Sequence, residues 1–426
     1  MSARGVIAIT ALAVLVVDCG GGPEGDSGGA VLQATVAPSA PPIEWLQVAA
    51  GDAHTIAVRT DSTLWAWGDN TSGQLGDGND GPSAGQLAPL QIGTGYRLTA
   101  AGASHTIAVK ADGTLWAWGS NSRGQLGDGT TTNRNAPIQV GSGYAFAAAG
   151  AAHAVGLKTD GTLWAWGAND HGQLGDGTTT DRGSPVEIGG DYASVAAGRD
   201  HTVALKKDGT LWAWGANDHG QLGDGTTTDR AAPEEIGSGY QSMAAGSGYT
   251  MALKADGTLW AWGANDDSQL GDGTTANRVT PGQVGSGYAS VAAGGGTVAV
   301  RTDRTLWTWG TSVPLIRAPL QFGMGYSSVA AGRWHCVAVK ADGTLWAWGD
   351  NTYGQLGDGT TTNRYGPEEI YASVPHASGT RGPGLQKRGG TGTNRFGPGE
   401  IRPPVPQASG TRGLRRQADP ALANRE

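Results

Sequence analysis

Short runs in which apolar and polar positions alternate recur through residues 43–370, each closed within about six residues by a glycine. One such run, Thr106-Ile107-Ala108-Val109-Lys110, is followed by Ala111-Asp112-Gly113 and then by Thr114-Leu115-Trp116-Ala117-Trp118-Gly119. A period of two sets Trp116 and Trp118 on one face of a strand and Leu115 and Ala117 on the other. Asp-Gly between two such runs is a tight hairpin turn that favours φ > 0. A third run, Pro137-Ile138-Gln139-Val140, leads into Gly141-Ser142-Gly143-Tyr144, where the next unit begins. No segment of this region shows the 3.6-residue spacing of an amphipathic helix, so the pattern predicts three or four short strands per unit.

The unit is copied. Leu-Trp-Ala-Trp-Gly occurs with its first tryptophan at 65, 116, 164, 212, 260 and 346, and Leu306-Trp307-Thr308-Trp309-Gly310 is a seventh copy. The spacings are 51, 48, 48, 48, 47 and 39 residues. A period near 48 with several strands per copy is that of a propeller blade; a β-helix has much shorter coils and an α-solenoid needs helical stripes. The expected fold is therefore all-β, a seven-bladed β-propeller over 43–370. A lone blade is a small sheet with two apolar faces, and stacking around an axis covers both. The tryptophan pairs are expected to lie between blades as core.

Composition narrows the reading. The 426 residues include 74 Gly, 20 Pro and 16 Trp but only 3 Phe, which excludes a helical bundle and, through its aromatics, a disordered chain. A net charge of −8 argues against nucleic acid as the main partner. Two cysteines form no disulfide framework, and no Cys/His group has zinc spacing.

The two ends differ from the repeats. Arg4 precedes an uncharged apolar stretch from Val6 to Val17, too short for a membrane span of ~20 residues but suited to a signal peptide. The sequence Leu15-Val16-Val17-Asp18-Cys19 resembles a bacterial lipoprotein signal, in which Cys19 becomes the lipidated first residue; Asp18 departs from the small residue usual there. Residues 1–19 thus read as a signal, 20–42 as a flexible tether, and 371–426 as a tail with nine Lys/Arg against three Asp/Glu. Within that tail Thr393-Asn394-Arg395-Phe396-Gly397-Pro398 copies Thr362-Asn363-Arg364-Tyr365-Gly366-Pro367. The protein is expected to be an exported monomer, in the cell envelope by a lipid anchor or outside the cell.

The unit Ala-Ala-Gly-x-x-His … Ala-Asp-Gly-Thr-Leu-Trp-Ala-Trp-Gly … Gly-Gln-Leu-Gly-Asp-Gly resembles the regulator of chromosome condensation repeat. That resemblance implies seven four-stranded blades. It also implies a ring closed by strands from both chain ends, with Ile43 to Val48 and Pro367 to Ile370 as the candidates. Two copies depart from the pattern. The sixth lacks the Gly-Gln-Leu-Gly-Asp-Gly loop and carries Thr297 near the histidine position; the fifth has Tyr249 there and Ser268 for the first loop glycine.

Candidate chemistry is sparse. His54, His105, His153, His201 and His335 share one repeat position, which spreads them along an arc too wide for one metal; each is expected to bond a local backbone carbonyl. His171 and His219 read as solvated turn residues. The Asp-Gly pairs at 77, 128, 176, 224, 272 and 358 lack the spaced acids of a calcium site. No catalytic triad, acid dyad, metal site or cofactor motif stands out. What varies inside the constant frame is the pair before each histidine: Asp52-Ala53, Ala103-Ser104, Ala151-Ala152, Arg199-Asp200, Ser247-Gly248, Gly295-Gly296 and Arg333-Trp334. In secreted relatives that inhibit β-lactamases, aromatics at matching positions form the binding face. Arg199, Asp200, Tyr249, Arg333 and Trp334 are therefore the candidate protein-binding residues. The expected function is a non-enzymatic scaffold that binds a protein or surface ligand. The alternatives are a guanine-nucleotide exchange factor, the activity of the family's founder, and an extracellular propeller enzyme.

Overall fold

A computed structural model describes residues 44–310 and 316–371 of the chain, and it forms seven four-stranded antiparallel sheets. Among the described residues there is no helix. The sheets cover 45–93, 96–141, 144–189, 192–238, 240–286, 288–324 and 326–370, and they are blades 1 to 7 of a propeller. Strand order within every sheet follows the chain, so each blade is a four-strand meander. Ring closure differs from the expectation. Trp45–Ala50 pairs with His54–Arg59, and Arg364–Ile370 pairs with Leu345–Gly349, so no strand is shared between the chain ends. Side chains close the seam instead: Trp45, Val48 and Trp67 of blade 1 pack against Val337, Leu345, Leu356 and Ile370 of blade 7.

The repeated residues make one bonding scheme. In the hairpin of blade 2, Thr114 donates both N–H and Oγ1–H to Asp112 Oδ1, and the Trp116 indole donates to Thr114 Oγ1 at 2.9 Å. The indole–threonine bond recurs in all seven blades. The cation ending each second strand then lies over that first tryptophan, from Arg59 on Trp65 to Lys340 on Trp346. The two tryptophans of a pair are unequal: the second is fully buried in every blade, whereas the first is half-buried except at Trp65.

In five blades the second tryptophan carries a bond to the neighbouring blade. Trp118 Nε1 donates to the Gln74 carbonyl of the preceding blade at 2.9 Å, and Thr106 Oγ1 donates to the same oxygen. That carbonyl is held in place by its own loop. Asn121 shows how: its Oδ1 accepts from Leu126 N, its Nδ2 donates to Asp128 Oδ1, and Arg134 pairs with the other Asp128 oxygen at 2.7 Å. The Gly-Gln-Leu-Gly-Asp-Gly motif is thus a device for presenting one carbonyl to the next blade.

At the axis the glycine of each Ala-Ala-Gly nears its neighbour. A Cβ on Gly102 would stand 2.6 Å from the Gly150 oxygen, and one on Gly198 would stand 2.7 Å from the Gly246 oxygen. A side chain there would push the blades apart. The axis is therefore narrow, and the opening above it encloses only about 90 Å³.

Candidate functional site

Two faces follow from the meander. One carries the hairpins between second and third strands and the blade-to-blade links. The other, the loop face, carries the variable pairs and the long links between third and fourth strands. Those long links are 14 residues in blade 2 (120–133) but five in blade 6 (311–315).

The first member of the variable pair lines the axial opening, where Asp52, Ala103, Ala151, Arg199, Ser247 and Arg333 meet the glycine ring. Arg199 lies 3.6 Å from Asp200, and Arg333 lies 3.5 Å from Asp52 of blade 1. Asp200 is half-buried, and desolvation raises its carboxyl pKa, with Arg199 opposing. Trp334 is 49% exposed, the only exposed tryptophan of the chain, and the Arg333 guanidinium stands 4.8 Å from its ring centre. The backbone beneath is fixed: Arg333 N donates to Gly51 O, and Asp350 N donates to Trp334 O. The structure therefore brings Arg333, Trp334 and Asp52 together on blades 7 and 1. Arg199 and Asp200 sit on blade 4, elsewhere around the ring.

Tyr249 does not join them. It is fully buried, and its hydroxyl reaches Gly296 O at 2.8 Å and Thr297 Oγ1 at 2.9 Å. The pairing Tyr249↔Gly263 matches His54↔Gly68, so Tyr249 occupies the histidine slot of the core and cannot touch a partner. Blade 6 shows why a tyrosine fits. Gly296, not Thr297, pairs with Gly310 in the histidine register, so one residue of the variable pair is deleted and only Gly295 remains. The larger ring from blade 5 reaches toward this side-chain-free slot.

The histidines are also bonded differently from the local-carbonyl expectation. His54 Nε2 meets Thr106 Oγ1 of the next blade at 3.2 Å, His153 meets Thr202, His201 meets Thr250, and His335 meets Thr55 across the seam. All are fully buried. Burial lowers His54 and His153 to about 3, and His105, His201 and His335 to about 4, so they are neutral links in the core. His105 lacks the bond because Ala154 stands where its threonine would be, and both its ring nitrogens are unpartnered. His171 and His219 lie on the rim as expected but bridge to neighbours: His171 Nδ1 meets Asp229 at 2.8 Å, and His219 Nδ1 lies 3.4 Å from Asn277 Nδ2. The loop aspartates are held by arginine, asparagine and threonine.

The sequence reading did not single out Tyr353. It is 51% exposed in the loop slot held by Ser72, Arg123, His171, His219 and Asp267 in other blades. With Asp69, Pro82 and Leu87 of blade 1 it lines a groove on the loop face of blades 7 and 1. The signal was available: one aromatic in a slot otherwise polar. Cys19, the tether and the tail beyond Tyr371 lie outside the described residues.

Comparison with known proteins agrees with this architecture. The model of the RCC1-like domain matches residues 16–325, and the regulator of chromosome condensation (RCC1) repeat matches 326–355 and 342–378. The probable E3 ubiquitin-protein ligase HERC6 of Homo sapiens is 41% identical over 88 residues, 20% of this chain and 8% of that protein. The ultraviolet-B receptor UVR8 of Arabidopsis thaliana is 42% identical over 85 residues, 19% of each. The match thus spans less than a fifth of either relative's length. Among solved structures, human WBSCR16 aligns with a TM-score of 0.65 at 23% identity, covering 72% of this chain and 94% of that one. Yeast RCC1 (Prp20), crystallised with Kap60, aligns at 0.66 and 21% identity, covering 72% and 83%. These likenesses are of fold. The sevenfold repeat, the seven closed sheets and the family match over most of the chain lead to one statement: this chain belongs to the RCC1-like domain family.

Proposed function

We propose that this propeller is an exported, non-enzymatic scaffold that captures a protein partner on the loop face of blades 7 and 1. The observation carrying this is Trp334: a half-exposed indole, under a guanidinium, on backbone pinned to two neighbours, where the other described tryptophans are buried or half-buried. Tryptophan and arginine on a rigid support are the residues that most often dominate binding energy. Arg333 and Trp334 supply the anchor; Tyr353 and Leu87 extend the apolar contact, and Asp52 holds Arg333. Yeast RCC1 (Prp20), of the same fold, is known bound to Kap60. Export rests on residues 1–19 and on the tether behind them.

An affinity capture from envelope extract, using wild type and Trp334→Ala in parallel, tests the reading. Loss of one anchor residue is expected to weaken the captured partner about 30-fold, the equivalent of about 2 kcal/mol. Equal capture by both proteins, or by the Arg333→Ala, Trp334→Ala double variant, would remove the loop face from the account. Export is checked by fractionation, where intact precursor in the cytosol argues against it.

A further inference from the structure

We propose that the opposite, hairpin face carries a second site: a groove across blades 6, 7 and 1 that binds carboxylate side chains of an extended acidic peptide. The groove encloses about 680 Å³, and its walls include Glu44, Leu46, Arg301, Arg304, Tyr326 and Lys340.

Short side chains border its opening. Between blades 2 and 3 the residue after the inner-strand tyrosine is Arg97, which spans the junction by bonding Lys110 O, Tyr144 O and Ala145 O. The same position holds Ala289 in blade 6 and Ser327 in blade 7, which cannot reach across. Both residues line the groove, and Ala145 and Ala193 are similarly short at the same position in blades 3 and 4.

Arg304 is the second, independent observation. It occupies the hairpin position that blades 2, 3, 4, 5 and 7 give to Gly113, Gly161, Gly209, Gly257 and Gly343, and, like the small Ser62 of blade 1, it does so at φ 65°. A non-glycine residue there costs about 1–2 kcal/mol. Nothing internal offsets that cost: the Arg304 guanidinium is exposed and makes no hydrogen bond or ion pair among the described residues. An exposed, unpaired arginine held in an unfavourable turn suits a ligand better than it suits the fold.

The remaining cations are presented in the same way. Arg301 lies 4.1 Å over Trp307 with its Nε buried and unbonded, and Lys340 lies 3.6 Å over Trp346. Ring faces hold these charges and leave N–H groups for a ligand. The neighbouring carboxylates are occupied, Asp303 by Thr305 and Asp342 by Thr344. Glu44 is the only acidic wall residue.

Charge selects the occupant. The guanidinium fork matches a carboxylate, and Leu46 and Tyr326 between the cations suit apolar side chains alternating with acidic ones. The tail at 371–426, nine Lys/Arg against three Asp/Glu, is excluded by like charge.

The test is fluorescence anisotropy of the full chain with a labelled peptide of alternating Glu and Leu. Saturable binding that weakens with added salt is expected, and Arg304→Gly should weaken it about tenfold, the usual effect of losing one charge-assisted contact. Arg304→Gly restores the turn residue of five other blades and is expected to melt no lower than wild type. Arg304→Gln, which keeps the backbone of the native residue, is expected to weaken binding equally. Lys207→Ala, on the hairpin of blade 4, is expected to change nothing. No binding by wild type, equal binding by Arg304→Gly, or equal affinity for a Lys-Leu peptide or a DNA oligomer would each overturn the proposal. Trp334→Ala separates this site from the loop face: it should leave the Glu-Leu peptide bound.

Discussion

Ala154 marks the one histidine junction where the threonine is missing. At equivalent positions Thr106 and Thr202 donate to a glutamine carbonyl and meet a histidine from the blade before. Ala154→Thr should place a hydroxyl between His105 and the Gln125 carbonyl and raise stability by about 1 kcal/mol, the net worth of a buried hydrogen bond. Chemical denaturation of the variant beside wild type reads this directly, and a lower midpoint would show that the site has no room. The buried histidines also fix the response to acid. Their folded pKa values, about 3 to 4, lie below the unfolded value of 6.5. Between those limits the unfolded state binds more protons, so stability is full above about pH 6.5 and falls as pH drops toward 4. His171, raised by Asp229 on the exposed rim, acts with the opposite sign and is screened. Denaturation midpoints measured across this window should decline; a flat profile would contradict neutral, buried imidazoles. At this scale the sequence was only half legible. The histidine position was plain in the repeat, but its partner lies in the next unit, 49 to 52 residues away. Tyr249 misled because a substitution at a buried slot and one at an exposed slot look alike in a string of letters.

Strands, hairpins and loops were the most readable level, because period-two alternation and Asp-Gly turns act locally. Loop purpose was less so. The Gln-Leu core of the loop motif suggests a turn, and only the geometry shows a carbonyl offered to Trp118 and Thr106 together. Blade 6 lacks this loop; in the next blade the Trp348 indole N–H is buried without a partner, as is that of Trp262, and Cys336 replaces the threonine. A comparison of two substitutions follows. Trp118→Phe should cost more than Trp348→Phe by about 1 kcal/mol, because it strips a made hydrogen bond whereas the other removes an unsatisfied donor. Equal losses in urea melts would mean that the loop carbonyl contributes nothing to the junction.

Over the whole molecule, seven repeats announced seven blades, but the manner of closure was not legible. Family resemblance suggested a mixed blade, and whether terminal strands pair depends on where the first repeat begins relative to the last. Here the first strand, Trp45–Ala50, and the last, Arg364–Ile370, stay in their own sheets, while Trp45 N donates to Gly343 O across the seam. The seam, like the other blade boundaries, exchanges no strand. A circular permutant that joins residue 371 to residue 44 and opens at Gly190, between blades 3 and 4, should fold with near-wild-type melting. A large drop in melting temperature would show that the native seam has a role the other boundaries lack.

The short link of blade 6 has a further consequence. A wheel of seven matching spokes would offer a partner several interchangeable landing angles, and the complex would be a mixture of rotamers about the axle. With 311–315 in place of a full loop and Trp334 on the spoke beside it, that degeneracy is broken. A partner captured on the loop face as proposed would have a single azimuth, so a mark on either protein should always face the same way on the other.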